Sequence, residues 1–331
     1  MGVQTAVCSF GGLCAAGYAG PQPLSSGETS CSGEGSQRWS VLLPERSDHC
    51  NQRSCAFGGF LGENSLLTGS ILNEVAGVPY TEALVFWFFG FMLHVLRLVF
   101  MGVHFLVAAV VNFAIVFLRP FNPDNTRLCG AAYSVPALRI LGLRAEIDLS
   151  ALRGQANPFV IVANHQSNYD LFVFGCVVPR RTVSIGKTAL KWLPLFGQIY
   201  WLAGNVLIDR SNAAKAKAAM LKTTEVMQNE DTSIWVFPEG TRNFGHDFLP
   251  FKKGAFLTAI ASGSPIVPLC CSSYKRTMRL NRWHAGTIKI KALKPIPTTG
   301  LSQDDVPALI AQCRSQMQAC IAEMDVEITA A

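Results

Sequence analysis

Two short stretches hold the residue types that could do chemistry. They are Asn164-His165-Gln166-Ser167-Asn168-Tyr169-Asp170 and Phe237-Pro238-Glu239-Gly240-Thr241-Arg242. In the first, an imidazole and a carboxylate stand five residues apart, just after an apolar run over 159–163 that reads as a buried strand. On a regular helix that spacing turns two side chains about 140° apart, so they could not face each other. If the strand ends near Ala163 and a helix starts near Asp170, the loop between them folds the pair together. Asp170 then fixes the tautomer of His165 and stabilises its charged form, leaving the other ring nitrogen to take a proton.

The second stretch repeats the layout. Residues 233–237 read as a strand, Pro238 stops it, Gly240 allows a tight turn, and Arg242 offers a guanidinium fork that suits a phosphate. A base in one strand-end loop and an anion clamp in another point to a hydroxyl nucleophile on a phosphorylated substrate. Each stretch alone is weak: a His-to-Asp spacing of five arises by chance, and Pro-Glu-Gly-Thr-Arg is most often a solvated turn. The signal lies in the pair and in the block between them. There Gly186-Lys187 closes a strand over 182–186, an aromatic-rich segment over 190–202 follows, and Ile208-Asp209-Arg210 ends the next strand. Lys187 and Arg210 sit at strand ends and could join Arg242 around one phosphate; the alternative is solvated surface charge. Trp192, Tyr200 and Trp201 beside Lys187 and Lys191 suit a membrane interface or the mouth of an acyl channel.

The elements that must position these residues follow from periodicity. Strands are expected over 158–163, 182–186, 204–208, 233–237, 266–270 and 287–293, with helical patterns between several of them. The clearest helix runs over 213–229. The last one opens with Ser302-Gln303-Asp304-Asp305, a capping-box arrangement, and carries Leu309, Cys313, Met317 and Met324 at helical spacing as core positions. Alternating strands and helices predict an α/β domain over 146–331 with a mostly parallel sheet flanked by helices. Ligands in such sheets sit beyond the strand carboxyl ends, where both stretches lie.

Half of the 331 residues are hydrophobic and only 15% are charged, which points to a membrane-associated protein. The run 83–118 is almost wholly apolar, and 98–118 holds no Lys, Arg, Asp or Glu, with Arg97 and Arg119 as polar flanks. Whether it crosses the bilayer or lies in one leaflet stays open. A short apolar segment over 131–143 is a second candidate for membrane contact, so 83–145 reads as a membrane-associated helical segment. Residues 1–80, rich in Gly and Ser without periodicity, read as a disordered extension. The net charge of +6 is unevenly placed. Residues 1–91 hold three basic and seven acidic side chains; the remainder holds 25 and 15, a net of +10. A basic body suits an anionic lipid surface or a phosphate-rich substrate. No basic helix or stacking-aromatic module points to nucleic acid. Basic residues after the apolar run place the body on the cytoplasmic side of the inner (plasma) membrane. Eleven cysteines without a Cys-x-x-Cys pair argue against a structural zinc site and for a reducing compartment.

Taken together, these stretches resemble the 1-acyl-sn-glycerol-3-phosphate acyltransferases, particularly the bacterial type. That family carries Asn-His-x-x-x-x-Asp (here 164–170), a Gly-Lys through an apolar stretch to Ile-Asp-Arg (186–210), Phe-Pro-Glu-Gly-Thr-Arg (237–242) and a Pro-rich apolar strand (265–269). The resemblance covers the chain from about Met92 onward, and Met92-Leu93-His94 looks like a family start, so 1–91 is expected to be dispensable. It implies acyl transfer from acyl-CoA or acyl carrier protein to the sn-2 hydroxyl of lysophosphatidic acid, giving phosphatidic acid in phospholipid biosynthesis. His165 is then the base and Asp170 its orienting partner. Arg242, Lys187 and, more weakly, Arg210 hold the phosphate. Glu239 holds the glycerol part or orders Arg242, and Gly240 and Thr241 line the same turn. Neither metal nor cofactor is implied.

Three rivals stand beside this reading. One is a same-fold acyltransferase with another acceptor, such as glycerol 3-phosphate. Another is a metal-dependent phosphohydrolase using His165 and Asp170 as ligands, for which His246 and His284 look too isolated. The third is a membrane-binding protein without activity.

Overall fold

The computed structural model describes residues 80–209, 213–243 and 248–330, so expectations for 1–79, Arg210 and His246 lie outside the described residues. Helix α1 spans Tyr80–Leu118 in one piece. It is apolar nearly all round, and its outward side exposes large hydrophobic side chains from Leu84 to Leu118. Its other side is held by the rest of the protein along most of its length. His104 donates from Nε2 to the carbonyl of Tyr133 at 2.9 Å, and Asn112 Nδ2 donates to the carbonyl of Cys129. Arg97 corrects the sequence expectation. Expected as a polar flank of the apolar run, it is 6% exposed and donates to the carbonyls of Leu280, Arg282 and Trp283 at 2.9, 2.6 and 2.6 Å. Three backbone acceptors offset the cost of burying that guanidinium.

Helix α2, Asn125–Leu141, begins earlier than the apolar segment over 131–143 predicts. It buries Cys129, Tyr133, Ala137, Leu138 and Leu141 rather than presenting them to lipid. Gly142, at φ 69°, ends it with its N–H on the carbonyls of Leu138 and Arg139, the left-handed terminator that glycine adopts without strain. Strand β1 (Leu143–Asp148) then leads to β2 (Val160–Ala163), and a short helix α3 (Asp170–Phe174) follows. Gly130 of α2 meets Gly175, just past α3, backbone to backbone; a Cβ built on Gly130 would stand 2.8 Å from the carbonyl oxygen of Gly175.

The remaining elements are β3 (Thr182–Lys187), α4 (Phe196–Leu202), β4 (Val206–Ile208), α5 (Ala213–Glu230), β5 (Ser233–Val236), α6 (Gly254–Ser262), β6 (Ile266–Cys271), α7 (Tyr274–Thr277), β7 (Gly286–Ala292) and α8 (Val306–Ala330). Ser302 and Asp305 form the expected reciprocal capping box before α8.

The seven strands run β1-β7-β6-β2-β5-β3-β4. All neighbours are parallel except β6 and β7. The central strand β2 registers Val160 against both Ile234 and Ile266 and is buried at every position, as a continuous apolar run demands of a strand covered on both faces. One face packs Phe159, Ile161 and Ala163 with Met101 of α1, Leu138 and Leu141 of α2 and Val173 of α3. The other packs Val160 and Val162 with Met227 of α5, Phe256 of α6 and Cys313 and Met317 of α8. The sheet thus separates a layer that includes the apolar α1 from a layer built of α5, α6 and α8. Cys129, Cys270, Cys271, Cys313 and Cys320 are buried and Cys176 partly so, all as free thiols.

Candidate active site

Because β6, β2, β5 and β3 are parallel, their carboxyl ends open at one edge of the sheet, and the loops leaving them meet there. The loop after β2 is fixed by Asn164. Its side chain accepts from the N–H of Cys271 and donates to the carbonyl of the same residue, both at 2.9 Å, continuing the β2–β6 ladder with a side chain in place of backbone. Gln166 donates to the carbonyls of Cys271 and Ser272 at 3.2 and 2.8 Å. Between these two anchors stands His165.

The five-residue loop brings the predicted pair together. His165 Nδ1 lies 2.6 Å from Asp170 Oδ2. Asp170 is 3% exposed at the first turn of α3, and the His165 side chain is 21% exposed. The same Oδ2 accepts the backbone N–H of Gln166 and Ser167 at 2.7 and 3.1 Å. Asp170 Oδ1 accepts a short hydrogen bond from the Tyr274 hydroxyl, which is also 3.0 Å from Ser167 Oγ. Burial, then the charge of Asp170, push the Tyr274 phenol well above its ordinary value, so it stays a donor. The carboxylate is therefore saturated by groups that hold it in place, and it keeps His165 in the Nδ1–H tautomer with Nε2 carrying the lone pair. The imidazole ring stacks on Phe237 with centroids 4.2 Å apart.

Glu239, buried after β5, reaches the same loop. Its Oε1 accepts from the N–H of His165 at 3.2 Å and its Oε2 from the N–H of Leu249 at 3.1 Å. Burial raises its pKa, and the two amide bonds pull the other way. Gly240, at φ 74°, makes the turn after Pro238, and Asn243 donates its N–H to the carbonyl of His165 at 2.7 Å. Thr241 and Arg242 lie exposed on that turn. Lys187 is exposed at the end of β3, at the same edge but two strands away from β2, a lateral separation of about 10 Å. The geometry unites His165, Asp170 and Glu239 directly and sets Arg242 and Lys187 at the same edge of the sheet. Asn164, Gln166, Phe237 and Tyr274 join the site without having been singled out. Asn164 and Phe237 stand inside the motifs, whereas Tyr274 lies more than a hundred residues along the chain with no local signal.

A cavity of about 60 Å³ opens at His165, bounded by Gln166, Glu239, Asn243, Ser273 and Ile321 among others. Among the described residues, no group of His, Cys, Asp and Glu gathers to hold a metal ion. The arrangement is a steered base at the mouth of a cleft, able to accept a proton from a hydroxyl group placed there.

The class is an acyltransferase: the acyltransferase family model matches residues 146–272. Over 237 residues the chain is 38% identical to the 1-acyl-sn-glycerol-3-phosphate acyltransferase of Haemophilus influenzae, covering 72% of this chain and 98% of the relative. It is equally identical over the same length to that of Escherichia coli K12, covering 96% of the relative. The human enzyme named alpha is 35% identical over 224 residues, covering 67% of this chain and 79% of its own length. The crystal structure of the 1-acyl-sn-glycerophosphate acyltransferase PlsC from Thermotoga maritima superposes with a TM-score of 0.56 at 21% identity, covering 71% of this chain and 97% of that one, and shares the fold. The chain belongs to the 1-acyl-sn-glycerol-3-phosphate acyltransferase family.

Proposed function

We propose that the protein moves a fatty acyl group from a thioester onto the sn-2 hydroxyl of 1-acyl-sn-glycerol 3-phosphate, giving phosphatidic acid. The observation that carries this reading is the His165–Asp170 contact of 2.6 Å at the mouth of the cleft. The hydroxyl oxygen attacks the thioester carbonyl as its proton passes to His165 Nε2. The new carbon–oxygen bond forms, the carbon–sulfur bond breaks, and the proton held by His165 goes to the leaving thiolate, releasing a free thiol. Base catalysis of this kind contributes about 10²–10⁴-fold. Asp170 stabilises the imidazolium, Glu239 fixes the backbone that carries His165, and Arg242 and Lys187, with Arg210, take the acceptor's phosphate. The donor is acyl-CoA or acyl carrier protein, both acidic, which suits the basic body.

Helix α1 supports a placement at the membrane surface. The body packs against it from near Gly90, whose Cβ position lies 3.2 Å from the carbonyl of Asn281, to Val116, buried beside Ile199 and Ala203. Such a helix cannot cross the bilayer without drawing the sheet into the hydrocarbon. It lies along the membrane surface with its apolar side embedded, on the cytoplasmic side where the soluble donors are. Asp170 offers no oxygen that is not already engaged, which favours the orienting role over metal ligation. The decisive assay gives the purified protein lysophosphatidic acid with palmitoyl-CoA or palmitoyl acyl carrier protein. Phosphatidic acid should form from at least one donor, and the His165→Ala protein should lose at least a thousandfold in rate while keeping its fold by circular dichroism. Full activity in that variant excludes the base role.

A further inference from the structure

Near its amino end, helix α1 is bare on every side. From Leu84 to Phe89 each residue is exposed, a stretch longer than one full turn, and it includes Phe86, Trp87, Phe88 and Phe89. Cover begins at Gly90, and the turn between α7 and β7 supplies it. The carbonyl of Asn281 lies 3.2 Å from the Cβ position of Gly90. Two helical turns further on, Arg97 donates to the carbonyls of Leu280, Arg282 and Trp283. A buried guanidinium in an apolar helix thus gives all three of its contacts to this one turn.

The turn is fastened through its backbone and the buried Leu280, which leaves its other side chains outward. Arg282 donates its N–H to the carbonyl of Arg279 at 3.1 Å, Arg279 to that of Ala285 at 2.7 Å, and Ala285 to that of Gly142 at 2.8 Å. Arg279, Arg282 and Trp283 are exposed, the last at 76%. No acidic residue falls in 275–285, and among the described residues neither Arg279 nor Arg282 is paired with a carboxylate. Arg279 Nη1 donates to the carbonyls of Arg276 and Met278, within its own segment. Two uncompensated guanidinium groups and a bare indole are therefore held rigidly beside an aromatic helix end. Water alone rewards none of this. The boundary between hydrocarbon and water does: an indole settles among headgroups, and cations settle on their phosphates.

We propose that Arg279, Arg282 and Trp283 form a surface that binds the headgroups of anionic phospholipids. The indole enters the interface beside the bare end of α1, and the two guanidinium forks take headgroup phosphates. The inference rests on the membrane placement proposed above and adds a lipid class to it, anionic over zwitterionic. It also gives Arg97 a purpose: the three carbonyls it holds keep the turn abreast of the helix, so that both meet one surface.

The test sediments the full chain with vesicles of phosphatidylcholine alone and of phosphatidylcholine mixed with phosphatidylglycerol. The unaltered protein should bind both through α1 and the mixed vesicles more tightly, with the excess shrinking as salt is raised. Each basic side chain near an anionic surface contributes about fivefold to partitioning. The Arg282 side chain makes no hydrogen bond or ion pair among the described residues, so Arg282→Ala leaves the fold intact. It should lower partitioning onto the mixed vesicles about fivefold, and Arg279→Ala/Arg282→Ala about 25-fold, with binding to phosphatidylcholine alone held. Lysine at both positions should restore most of the loss, and Trp283→Ala should weaken binding to both vesicles alike. Equal binding of the unaltered protein to the two vesicles overturns the proposal and leaves the placement of α1 standing. So does a double variant that keeps its excess on the mixed vesicles while its KM for palmitoyl acyl carrier protein rises, which would assign the cations to that acidic donor. If the unaltered protein sediments with neither vesicle, the membrane placement itself falls.

Discussion

At the scale of single residues, the site depends on a carboxylate that is fully engaged. Asp170 accepts from His165, two backbone amides and the Tyr274 hydroxyl, so its position is set before any substrate arrives. Tyr274→Phe removes one of these donors and leaves a buried oxygen short of a partner, a cost of about 1–3 kcal/mol. The loosened carboxylate should steer the imidazole less well. The expected result is a roughly tenfold fall in kcat with little change in KM for either substrate, read from initial rates. Arg242→Ala should act differently. It should raise the KM for lysophosphatidic acid by about tenfold or more and leave the donor KM near its original value, since a guanidinium on a phosphate acts in binding. An unchanged acceptor KM would remove Arg242 from that role. Much of this site is legible in the sequence because its parts are local: His165 and Asp170 share one loop, and Pro238 and Gly240 mark the turn that carries Arg242. Tyr274 is not legible, because its value comes from a contact made only when β6 lies beside β2.

At the scale of elements, strands that are apolar and bounded by turn residues are found close to their expected limits. The run over 266–270 becomes Ile266–Cys271 and that over 233–237 becomes Ser233–Val236. Strand β1 escapes notice because Leu-Arg-Ala-Glu-Ile-Asp lies at the sheet edge, where charge is tolerated and the apolar signal is thin. Helix α2 is misjudged because Pro136 and Ser134 dilute its periodicity, while its packing against the sheet and α3 decides its buried side. Arg97 is misjudged for a related reason: a charge in an apolar run reads as a boundary until the three carbonyls that receive it are seen. Arg97→Ala would leave those carbonyls without their donor. The expected cost is about 1–3 kcal/mol or more, the penalty of buried acceptors left unpaired, seen as a lowered melting temperature in detergent and as faster proteolysis within 278–284. An unchanged melting temperature would show that this clamp adds nothing to stability.

At the scale of the whole molecule, the described body is a catalytic sheet joined to an apolar helix that it never leaves. Of the described residues before Met92, Tyr80 to Phe91 form the opening turns of α1, and none of them lines the cleft at His165. Removing residues 1–91 should leave acyl transfer within about twofold of the full chain, measured on matched amounts of vesicle-bound protein; a dead truncation would make those first turns part of the working fold. The exposed aromatics fit the same picture. Trp192, Trp201 and Trp283 stand out from the body, and Lys191 Nζ lies 4.7 Å above the ring of Trp192, the pairing that an interface between lipid and water rewards.

The bare contact between Gly130 and Gly175 has a consequence for how this body is joined to its apolar helix. A side chain at either position would act as a wedge, prising α2 away from the α3 turn. Since α1 is fastened to α2, the wedge would change the pitch of the apolar helix relative to the sheet. Two missing side chains thus fix the angle at which the sheet, and His165 with it, meets the apolar helix.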